Sequence, residues 1–143
     1  MQNRVEVKKV ENEDELQKVF AIRRTVFVDE QNCPPELEWE YEDESVHFLG
    51  LVNGVPAGAS RWRKTEKGYK LERFAVLKEF RRLGLGQTLI SAALNDLPAD
   101  ADYVYLHAQI AAMPLYSKFG FKKVGEQFEE AGIRHFKMEI ART

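Results

Sequence analysis

A strand that runs through a basic, glycine-containing turn directly into a helix is the feature that most constrains this chain. Residues 71–76 read as a strand, residues 81–86 form the turn Arg-Arg-Leu-Gly-Leu-Gly, and apolar residues then recur at helical spacing to residue 97. The start of a helix leaves backbone N–H groups without intrahelical partners and carries partial positive charge, so phosphate groups bind there readily. Glycine lets the backbone approach a ligand closely, and arginine adds charge-assisted donors. The segment therefore predicts a site for a phosphorylated cofactor.

The spacing of this turn excludes two common nucleotide motifs. A dinucleotide-binding fingerprint needs a third small residue where this chain has Leu89. A P-loop needs lysine and then serine or threonine after its last glycine, where this chain has Gln87 and Thr88. What remains is the pattern Arg81-x-x-Gly84-x-Gly86, which by itself also fits an ordinary basic turn before a surface helix.

Composition and charge narrow the class of protein. The chain has 143 residues, 44% of them hydrophobic, which is enough for one globular domain over residues 1–143. A net charge of −2 argues against a nucleic-acid partner, and no apolar run approaches the roughly 20 residues that cross a bilayer. The first residues lack the apolar segment of a signal peptide, so we expect a cytoplasmic protein with no membrane partner. One cysteine and three histidines without ligand spacing predict no metal site.

The order of predicted elements indicates the fold class. Alternation and turn residues predict strands near residues 4–10, 47–52, 57–63, 69–76, 103–108, 122–124 and 134–140. Helical spacing of apolar residues predicts helices over 13–28, 84–97 and 111–119. Three strands in a meander followed by strand, helix and strand predict an α/β (α+β) domain. It has a mixed, mostly antiparallel sheet of about seven strands with helices on both faces.

A second motif follows the glycines by about 30 residues, Pro-Leu-Tyr-Ser-Lys-Phe-Gly-Phe at residues 114–121. Together with Arg81-x-x-Gly84-x-Gly86 it resembles the two signatures of the GCN5-related N-acetyltransferase (GNAT) superfamily. Stretches at residues 22–31, 107–109 and 132–138 are similar to its ElaA-like and YjcF-like branch. The resemblance implies the GNAT fold. It also implies an acetyl-CoA-dependent N-acetyltransferase that acts on a primary amine of a small molecule or peptide.

The resemblance also implies how coenzyme A lies on the chain. The strand backbone at Phe74, Ala75 and Val76 would pair with the pantetheine arm like an added strand, and the Val76 N–H would polarise the acetyl carbonyl. Gln109 stands where many members of the superfamily have asparagine, which leaves its contact with the cofactor or substrate open. The pyrophosphate would be held by the turn and the helix start, that is by Arg81, Arg82, Leu83, Gly84, Leu85, Gly86, Gln87 and Thr88.

Two residues are candidates for acid and base catalysis. Carried over from the family, Tyr116 would protonate the departing CoA thiolate, and a phenol is indeed a donor at neutral pH. Glu72 shares a strand face with Phe74 and Val76, and burial would raise its pKa into the range of a general base. The alternative for Glu72 is an ion-paired or solvated carboxylate. His107 and His135 are further candidates for the base.

The acceptor site must be built from other parts of the chain. Residues 30–44 carry seven acids and no lysine or arginine, so they would attract a cationic amine, or they form only a solvated loop. Arginines in the cleft would instead hold a carboxylate or phosphate, or they pair with nearby acids. The candidate substrate-binding residues are Arg23, Phe27, Glu30, Arg61, His107 and His135.

Two other functions fit the same fold. A non-catalytic acyl-CoA sensor would need the pyrophosphate turn but not the acid Tyr116. An acyltransferase of the acyl-homoserine lactone synthase type would need a second cofactor site, which this sequence does not reveal. The resemblance is compatible with a homodimer, because such dimers are common in the superfamily, but no residue of this sequence specifies one.

Overall fold

A computed structural model describes residues 3–34 and 40–141, which contain a sheet of seven strands in the order β1-β2-β3-β4-β5-β7-β6. Within this part of the chain, β4 and β5 are parallel and every other neighbouring pair is antiparallel. The prediction of a mixed, mostly antiparallel sheet is confirmed. The strands are β1 (Val5–Lys9), β2 (Ser45–Val52), β3 (Val55–Lys64), β4 (Tyr69–Val76), β5 (Tyr103–Gln109), β6 (Lys122–Glu130) and β7 (Ile133–Ala141).

The helices begin within two residues of their predicted starts, but the first changes from an α-helix to a π-helix. Helix α1 (Glu13–Arg23) is capped by Asn12, whose side chain accepts a hydrogen bond from the Glu15 N–H at 2.9 Å. It continues as a π-helix (Arg24–Glu30), so the prediction of one regular helix over 13–28 is wrong for its last part. Further along lie α2 (Leu85–Asp96), α3 (Met113–Ser117) and the 3₁₀ turns Glu42–Glu44, Lys78–Phe80 and Ile110–Ala112.

Helices α1 and α2 cover opposite faces of the sheet. Phe48 packs in the core cluster that contains α2, whereas the next residue, Leu49, packs in the cluster that contains α1. Successive side chains of a strand point to opposite faces, so the two helices lie on the two sides of β2. The predicted helices on both faces are confirmed. No helix among the described residues is long and apolar enough to cross a membrane.

Two glycines fix the position of the α2 start. Gly50 and Gly58 face each other across β2 and β3, and a Cβ at either position would lie 2.8 Å from the side chain of Leu85. Leu85 is the first residue of α2 and is 1% exposed. The missing side chains let the helix start sit directly on the sheet, beside the end of β4.

The sheet opens between β4 and β5. The two strands pair over three residues each, from Tyr69 with Val104 to Leu71 with Leu106, although both strands continue beyond this point. Here β4 also has a bulge, because Arg73 and Phe74 together stand opposite one residue of β3, and Arg73 adopts a φ of 58°. A bulge bends the strand that carries it. The result is a cleft through the sheet, between the far ends of β4 and β5.

The β6–β7 hairpin is longer than predicted. The sequence pattern ended the strand at Val124, because residues 125–130 contain one apolar residue, yet β6 runs to Glu130. A tight turn at Ala131 and Gly132, both with positive φ, leads into β7. The extension brings Glu130 and His135 to the mouth of the cleft.

Candidate active site

The cleft between β4 and β5 contains two connected cavities. An inner cavity of about 140 Å³ reaches Tyr116 and Phe74, and an outer cavity of about 330 Å³ reaches Tyr41 and Ile133. The two cavities share eight lining residues and therefore adjoin each other. These residues are Phe27, Gln31, Lys70, Glu72, Arg73, Gln109, Glu130 and His135.

A separate groove of about 250 Å³ lies at the start of α2. Gly84 is the N-cap of α2 with a φ of 86°, and a Cβ built there would have no heavy atom within 4 Å. The helix start thus faces open space, as a phosphate site requires. The groove brings together most of the predicted pyrophosphate residues, namely Arg81, Arg82, Gly84, Leu85, Gly86 and Gln87, with Val76, Phe80 and Leu115.

Two residues of the predicted pyrophosphate turn have other roles in the structure. Leu83 packs against the main core and does not line the groove. The hydroxyl and the N–H of Thr88 both donate to the Gly84 carbonyl, at 3.0 and 3.2 Å. Thr88 therefore closes the first turn of α2, which corrects its assignment to the cofactor.

The backbone of Val76 faces the open side of β4. The N–H of the next residue, Leu77, donates to the Ala57 carbonyl at 2.8 Å, so Val76 directs its own N–H and C=O away from β3. Arg81 Nε donates to that carbonyl at 2.9 Å, and the Val76 N–H remains on the same edge. Ala75 has the opposite environment, because it pairs with Ala59 and is 3% exposed in the core. The expectation that Ala75 contacts the cofactor is corrected.

Arg81 and Glu30 form a two-pronged ion pair. Arg81 Nη1 and Nη2 donate to the two carboxylate oxygens of Glu30 at 2.9 and 2.8 Å. This hydrogen bonding lowers the pKa of Glu30 and raises the pKa of Arg81. With the bond to Val76, three of the five guanidinium N–H groups are engaged. Glu30 holds the pyrophosphate turn and does not line the cleft, which corrects its assignment to the acceptor.

Tyr116 lies on α3 at the inner end of the cleft. It is 8% exposed, and its ring contacts Phe74 edge-on with the two centroids 5.7 Å apart. Burial raises the pKa of Tyr116, so the hydroxyl keeps its proton at neutral pH. The site therefore contains a hydrogen-bond donor beside the open edge of β4.

Glu72 has the opposite pKa from the expected one. Burial alone would raise the pKa of Glu72, but the charges of Arg61, Lys70 and Arg73 and a hydrogen bond from Arg63 lower it to about 2. The prediction of a raised pKa is wrong, because four cations surround this carboxylate. A carboxylate with so low a pKa is a weak base at neutral pH. Glu72 is the centre of an ion-pair cluster and no longer a candidate for the base.

Arg23 and Arg61 are buried behind the cleft. Arg23 donates to both carboxylate oxygens of Glu42, at 2.9 and 2.7 Å, and is 1% exposed. Arg61 donates to Glu42 Oε1 at 2.7 Å and to Glu72 Oε1 at 3.2 Å and is 0% exposed. Burial would raise the pKa of Glu42, yet these two arginines lower it. The expectation that Arg23 and Arg61 contact the acceptor is corrected, since both are consumed in ion pairs.

Polar side chains of β5, β6 and β7 line the side of the cleft that faces β4. Glu130 lies 3.3 Å from His107 Nδ1 and 3.7 Å from His135 Nε2, and the contact with His107 is the main reason for its lowered pKa. His135 Nδ1 donates to the Ile133 carbonyl at 2.7 Å. Gln109 Nε2 donates to Gln31 Oε1 at 3.0 Å, which ties β5 to the end of the π-helix. His107, His135, Gln109 and Phe27 all line the inner cavity. Their contact with substrate or cofactor stays a prediction.

The acidic segment, residues 30–44, places fewer carboxylates in the cleft than its seven acids led us to expect. Glu36 and Glu38 lie outside the described residues, and Glu30 and Glu42 are ion-paired. Glu40 lines the outer cavity. The sequence interpretation missed Lys70 and Glu130, although Lys70 stands two residues before Glu72 on one face of β4 and was accessible to the same argument. The prediction that Glu72 shares a face with Phe74 and Val76 is wrong, because the bulge at Arg73 and Phe74 turns Phe74 and Val76 to the other face, where they pack with Leu71 in the core beside α2.

An opened sheet beside an exposed, glycine-containing helix start is the arrangement expected of acyl-CoA N-acyltransferases, and comparison with known proteins agrees with this class. The family described as the acetyltransferase (GNAT) domain matches residues 7–142. The chain belongs to this family and is an acyltransferase.

Individual relatives match along most of their length. YjcF of Bacillus subtilis, described as an uncharacterized N-acetyltransferase, is 43% identical over 131 residues, which are 89% of this chain and 93% of YjcF. ElaA of Escherichia coli is 32% identical over 137 residues, and its crystal structure superimposes with a TM-score of 0.80 over 96% of this chain and 99% of ElaA. An acyl-CoA N-acyltransferase from Pseudomonas aeruginosa, 28% identical, superimposes with a TM-score of 0.81 over 96% of this chain and 99% of the other.

Proposed function

We propose that this protein is an acetyl-CoA-dependent N-acetyltransferase that transfers the acetyl group to a primary amine of a small molecule or peptide. The observation that carries the proposal is the arrangement of three neighbouring features, namely the groove, the open edge of β4 and the cleft. The groove at the α2 start leads to the open edge of β4 at Val76, and the cleft beside β4 contains Tyr116. A phosphorylated thioester and an amine can thus meet from opposite sides of the sheet.

The groove residues would hold the donor. The first N–H groups of α2, with Arg81 and Arg82, are suited to the pyrophosphate. The backbone edge of β4 at Phe74 and Val76 would bind the pantetheine arm as an added strand. In this arrangement the Val76 N–H donates to the thioester carbonyl oxygen and stabilises the negative charge that develops there.

Tyr116 would protonate the leaving group, the thiolate of coenzyme A. The amine nitrogen attacks the thioester carbonyl carbon, the C–N bond forms, and the C–S bond breaks with its electron pair on sulfur. The phenol of Tyr116 donates its proton to that sulfur, and the proton that the amine loses passes through water to the Tyr116 phenolate, which restores the phenol. The raised pKa of Tyr116 supports this role, since the hydroxyl is protonated throughout the neutral range. A sensor that binds acyl-CoA without turnover would not need this group.

The acceptor would enter through the outer cavity, which Phe27, Gln109 and His135 line, and would reach the inner cavity, which His107 also lines. These four residues are proposed to contact it. The homodimer, the single domain over residues 1–143 and the cytoplasmic location remain predictions. Sedimentation equilibrium of the purified protein tests the first of them.

Titration calorimetry with acetyl-CoA tests the donor site. We expect saturable binding by the wild-type protein and at least a 100-fold loss in Gly84→Glu, because the new carboxylate occupies the space in front of the helix start and repels phosphate. The matched control is Gly54→Glu in the β2–β3 turn. Gly54 also has a positive φ and open space at Cβ, but it does not line the groove.

The control separates general strain from loss of the site. Wild-type affinity in Gly84→Glu would overturn the assigned pyrophosphate groove, and equal losses in both variants would attribute the effect to folding. Release of free CoA thiol in the presence of amines then distinguishes the enzyme from a sensor, which binds acetyl-CoA but releases no thiol.

A further inference from the structure

We propose that His135 is the base that removes one proton from the ammonium group of the acceptor, and that Glu130 binds this ammonium beside it. His107, on the other side of Glu130, is a positioning residue. These roles rest on the proposed function and supply the base that it leaves open. They replace Glu72, which the structure places inside an ion-pair cluster.

The acceptor needs a base because an ammonium nitrogen has no lone pair. A primary alkyl amine such as a lysine side chain has a pKa of about 10.4, so nearly all of it carries the extra proton at neutral pH. One proton must leave before the nitrogen attacks the thioester. It differs from the second proton, which is lost after the attack and restores the Tyr116 phenol. A base beside the acceptor must therefore take up the first proton and release it to water.

The hydrogen bonds of His135 determine which of its nitrogens is basic. Nδ1 lies 2.7 Å from the Ile133 carbonyl oxygen, and because a carbonyl only accepts, Nδ1 carries the proton. In the neutral ring Nε2 then has a free lone pair. Phe128 stacks on the ring at an interplanar angle of 21°. His135 lines both the inner and the outer cavity, so it lies where the acceptor would pass.

A carboxylate oxygen lies next to this free nitrogen. Glu130 Oε2 is 3.7 Å from His135 Nε2, and both atoms are hydrogen-bond acceptors while the ring is neutral. Two acceptors at this distance repel each other, and a cation with several N–H donors satisfies both. An ammonium group would donate one hydrogen bond to Glu130 and one to Nε2. Transfer of the second proton to Nε2 leaves the electron pair on the amine nitrogen, which then attacks.

His107 holds the other oxygen of the same carboxylate. Its Nδ1 lies 3.3 Å from Glu130 Oε1, and since an ionised carboxylate only accepts, this nitrogen donates. Phe128 also contacts the His107 ring edge-on, with the centroids 5.0 Å apart. The Glu130 side chain is 46% exposed, against 8% for that of His135. The proton taken up by His135 can therefore leave to water past Glu130.

Other charged and titratable groups line the same cavities as His135. The inner cavity has Lys70, Glu72 and Arg73 of β4, His107 of β5 and Tyr116 of α3. The outer cavity adds Cys33, Glu40, Tyr41 and Arg63. Glu72 is in contact with Arg63 and Lys70, so its charge is compensated. The charge of Lys70 also contributes to the lowered pKa of Glu130, which is therefore ionised at neutral pH and able to bind an ammonium.

The first test measures thiol release from acetyl-CoA between about pH 6 and about pH 10, with ethylamine, spermidine, lysine amide and alanyl-alanine amide as acceptors. His135→Asn keeps a donor for the Ile133 carbonyl but has no basic nitrogen. We expect its kcat/KM to fall about 100-fold at pH 7. The loss should shrink as the pH approaches the pKa of the amine, because the neutral amine needs no base.

Variants of the neighbours separate the other roles. Glu130→Gln should raise KM for the amine about tenfold and change kcat less, because the ammonium loses a charge-assisted hydrogen bond. Its matched control is Glu129→Gln, since Glu129 is the adjacent exposed acid of β6 and lines neither cavity. His107→Asn keeps a donor for Glu130 and should retain most of the activity, whereas His107→Leu should resemble Glu130→Gln.

The second test needs no acceptor and therefore separates the base from the proposed function. Nitrogen-15 NMR of the three histidine rings, assigned from the variants, should show neutral His135 with its proton on Nδ1. A proton on Nε2 would overturn the base while the proposed function stands.

The kinetics can also overturn the base. A loss in His135→Asn of the same size at every pH would reject it, and an equal, pH-dependent loss in His107→Asn would make His107 the base instead. Binding of acetyl-CoA by the wild-type protein without thiol release from any of the amines would reject the proposed function, and the base with it.

Discussion

A carboxylate surrounded by four cations, as Glu72 is, ionises at a lower pH than a free glutamate. Its pKa of about 2 lies below the ordinary value of 4.5, so the folded state binds the proton less tightly than the unfolded chain. The ionised carboxylate therefore stabilises the fold by about 3 kcal/mol above pH 4.5. This contribution disappears progressively as the pH falls from 4.5 towards 2.

We expect Glu72→Gln to lower the free energy of unfolding at pH 7 by about 3 kcal/mol, because the amide leaves the cations without their anion. The difference from the wild-type protein should shrink as the pH falls below 4.5. Urea unfolding at pH 7, 4.5 and 3 measures this, with the exposed Glu66→Gln as the control. A loss of the same size at all three pH values would mean that packing, and not charge, explains the effect.

Removal of the Tyr116 hydroxyl tests the proposed role of Tyr116 as the acid for the departing thiolate. We expect Tyr116→Phe to lower kcat about 10- to 100-fold and to change the affinity for acetyl-CoA less than twofold, because the hydroxyl acts on the departing sulfur. The ring contact with Phe74 survives the change, which makes the variant its own packing control. Steady-state rates with a saturating acceptor measure the effect, and a wild-type kcat would reduce Tyr116 to a packing residue.

The sequence predicted the role of a residue where that role depends only on neighbouring residues in the chain. The start of α2 follows from glycine and helix spacing, and Gly84 stands at its N-cap as expected. The environments of Glu72, Arg61 and Arg23 were not predictable. Arg61 lies 11 residues from Glu72. Glu42 lies 19 residues from both Arg61 and Arg23, and these contacts join elements that only the complete fold brings together. The sequence shows many acidic residues and arginines, but it does not show which of them pair with each other.

Among the elements, the π-helix has the greatest effect on the site. It carries Phe27 and Glu30 and ends at Gln31, so one element contacts the cleft, the pyrophosphate turn and β5. The hydrogen bonds of a π-helix span one residue more than those of the α-helix that precedes it, and periodicity over a few residues does not distinguish the two. The sequence therefore predicted the presence of the helix, but not which residues face the cleft.

The contact between this element and the pyrophosphate turn leads to a prediction on cofactor affinity. In Glu30→Gln we expect acetyl-CoA to bind about threefold more tightly at low salt, because Arg81 is released from a competing carboxylate and one negative charge is removed. The gain should diminish at high salt. Calorimetry at two ionic strengths measures it.

The matched control is Glu79→Gln. Glu79 is exposed in the same loop and adds to the raised pKa of Arg81 by its charge, without the hydrogen bonds of Glu30. A smaller gain is expected there. Weaker binding in Glu30→Gln would contradict the prediction and would show that Glu30 holds Arg81 in the position that the phosphate needs.

At the scale of the whole molecule, the sequence predicted the strand order along the chain and the mixed sheet correctly. The family resemblance implied that β4 and β5 splay apart. The residue pattern itself did not predict how far they pair, because the opening depends on the Arg73–Phe74 bulge and on a register that no local pattern records. The continuation of β6 to Glu130 was missed for a related reason, since its residues are mostly polar.

Binding at the opened edge should stabilise the molecule measurably. With acetyl-CoA at 100 times its Kd we expect an increase of about 2.7 kcal/mol in stability, or roughly 5 to 10 °C in Tm. Hydrogen exchange of the Val76 N–H should slow more than that of Leu77, which already donates to Ala57. Gly84→Glu serves as the control for both readouts. Equal slowing at the two amides would contradict pairing of the cofactor with the Val76 edge.

The short contact between β4 and β5 also determines how the molecule would respond to force. Strands β1 to β4 form one half of the sheet, strands β5 to β7 form the other, and three residue pairs join them. Under tension across the sheet this seam is the weakest line, since the ladders on either side of it are longer. A ligand bound along both the seam and the α2 start would hold the two halves of the sheet together under tension. The enzyme would then be most resistant to rupture while it holds its donor.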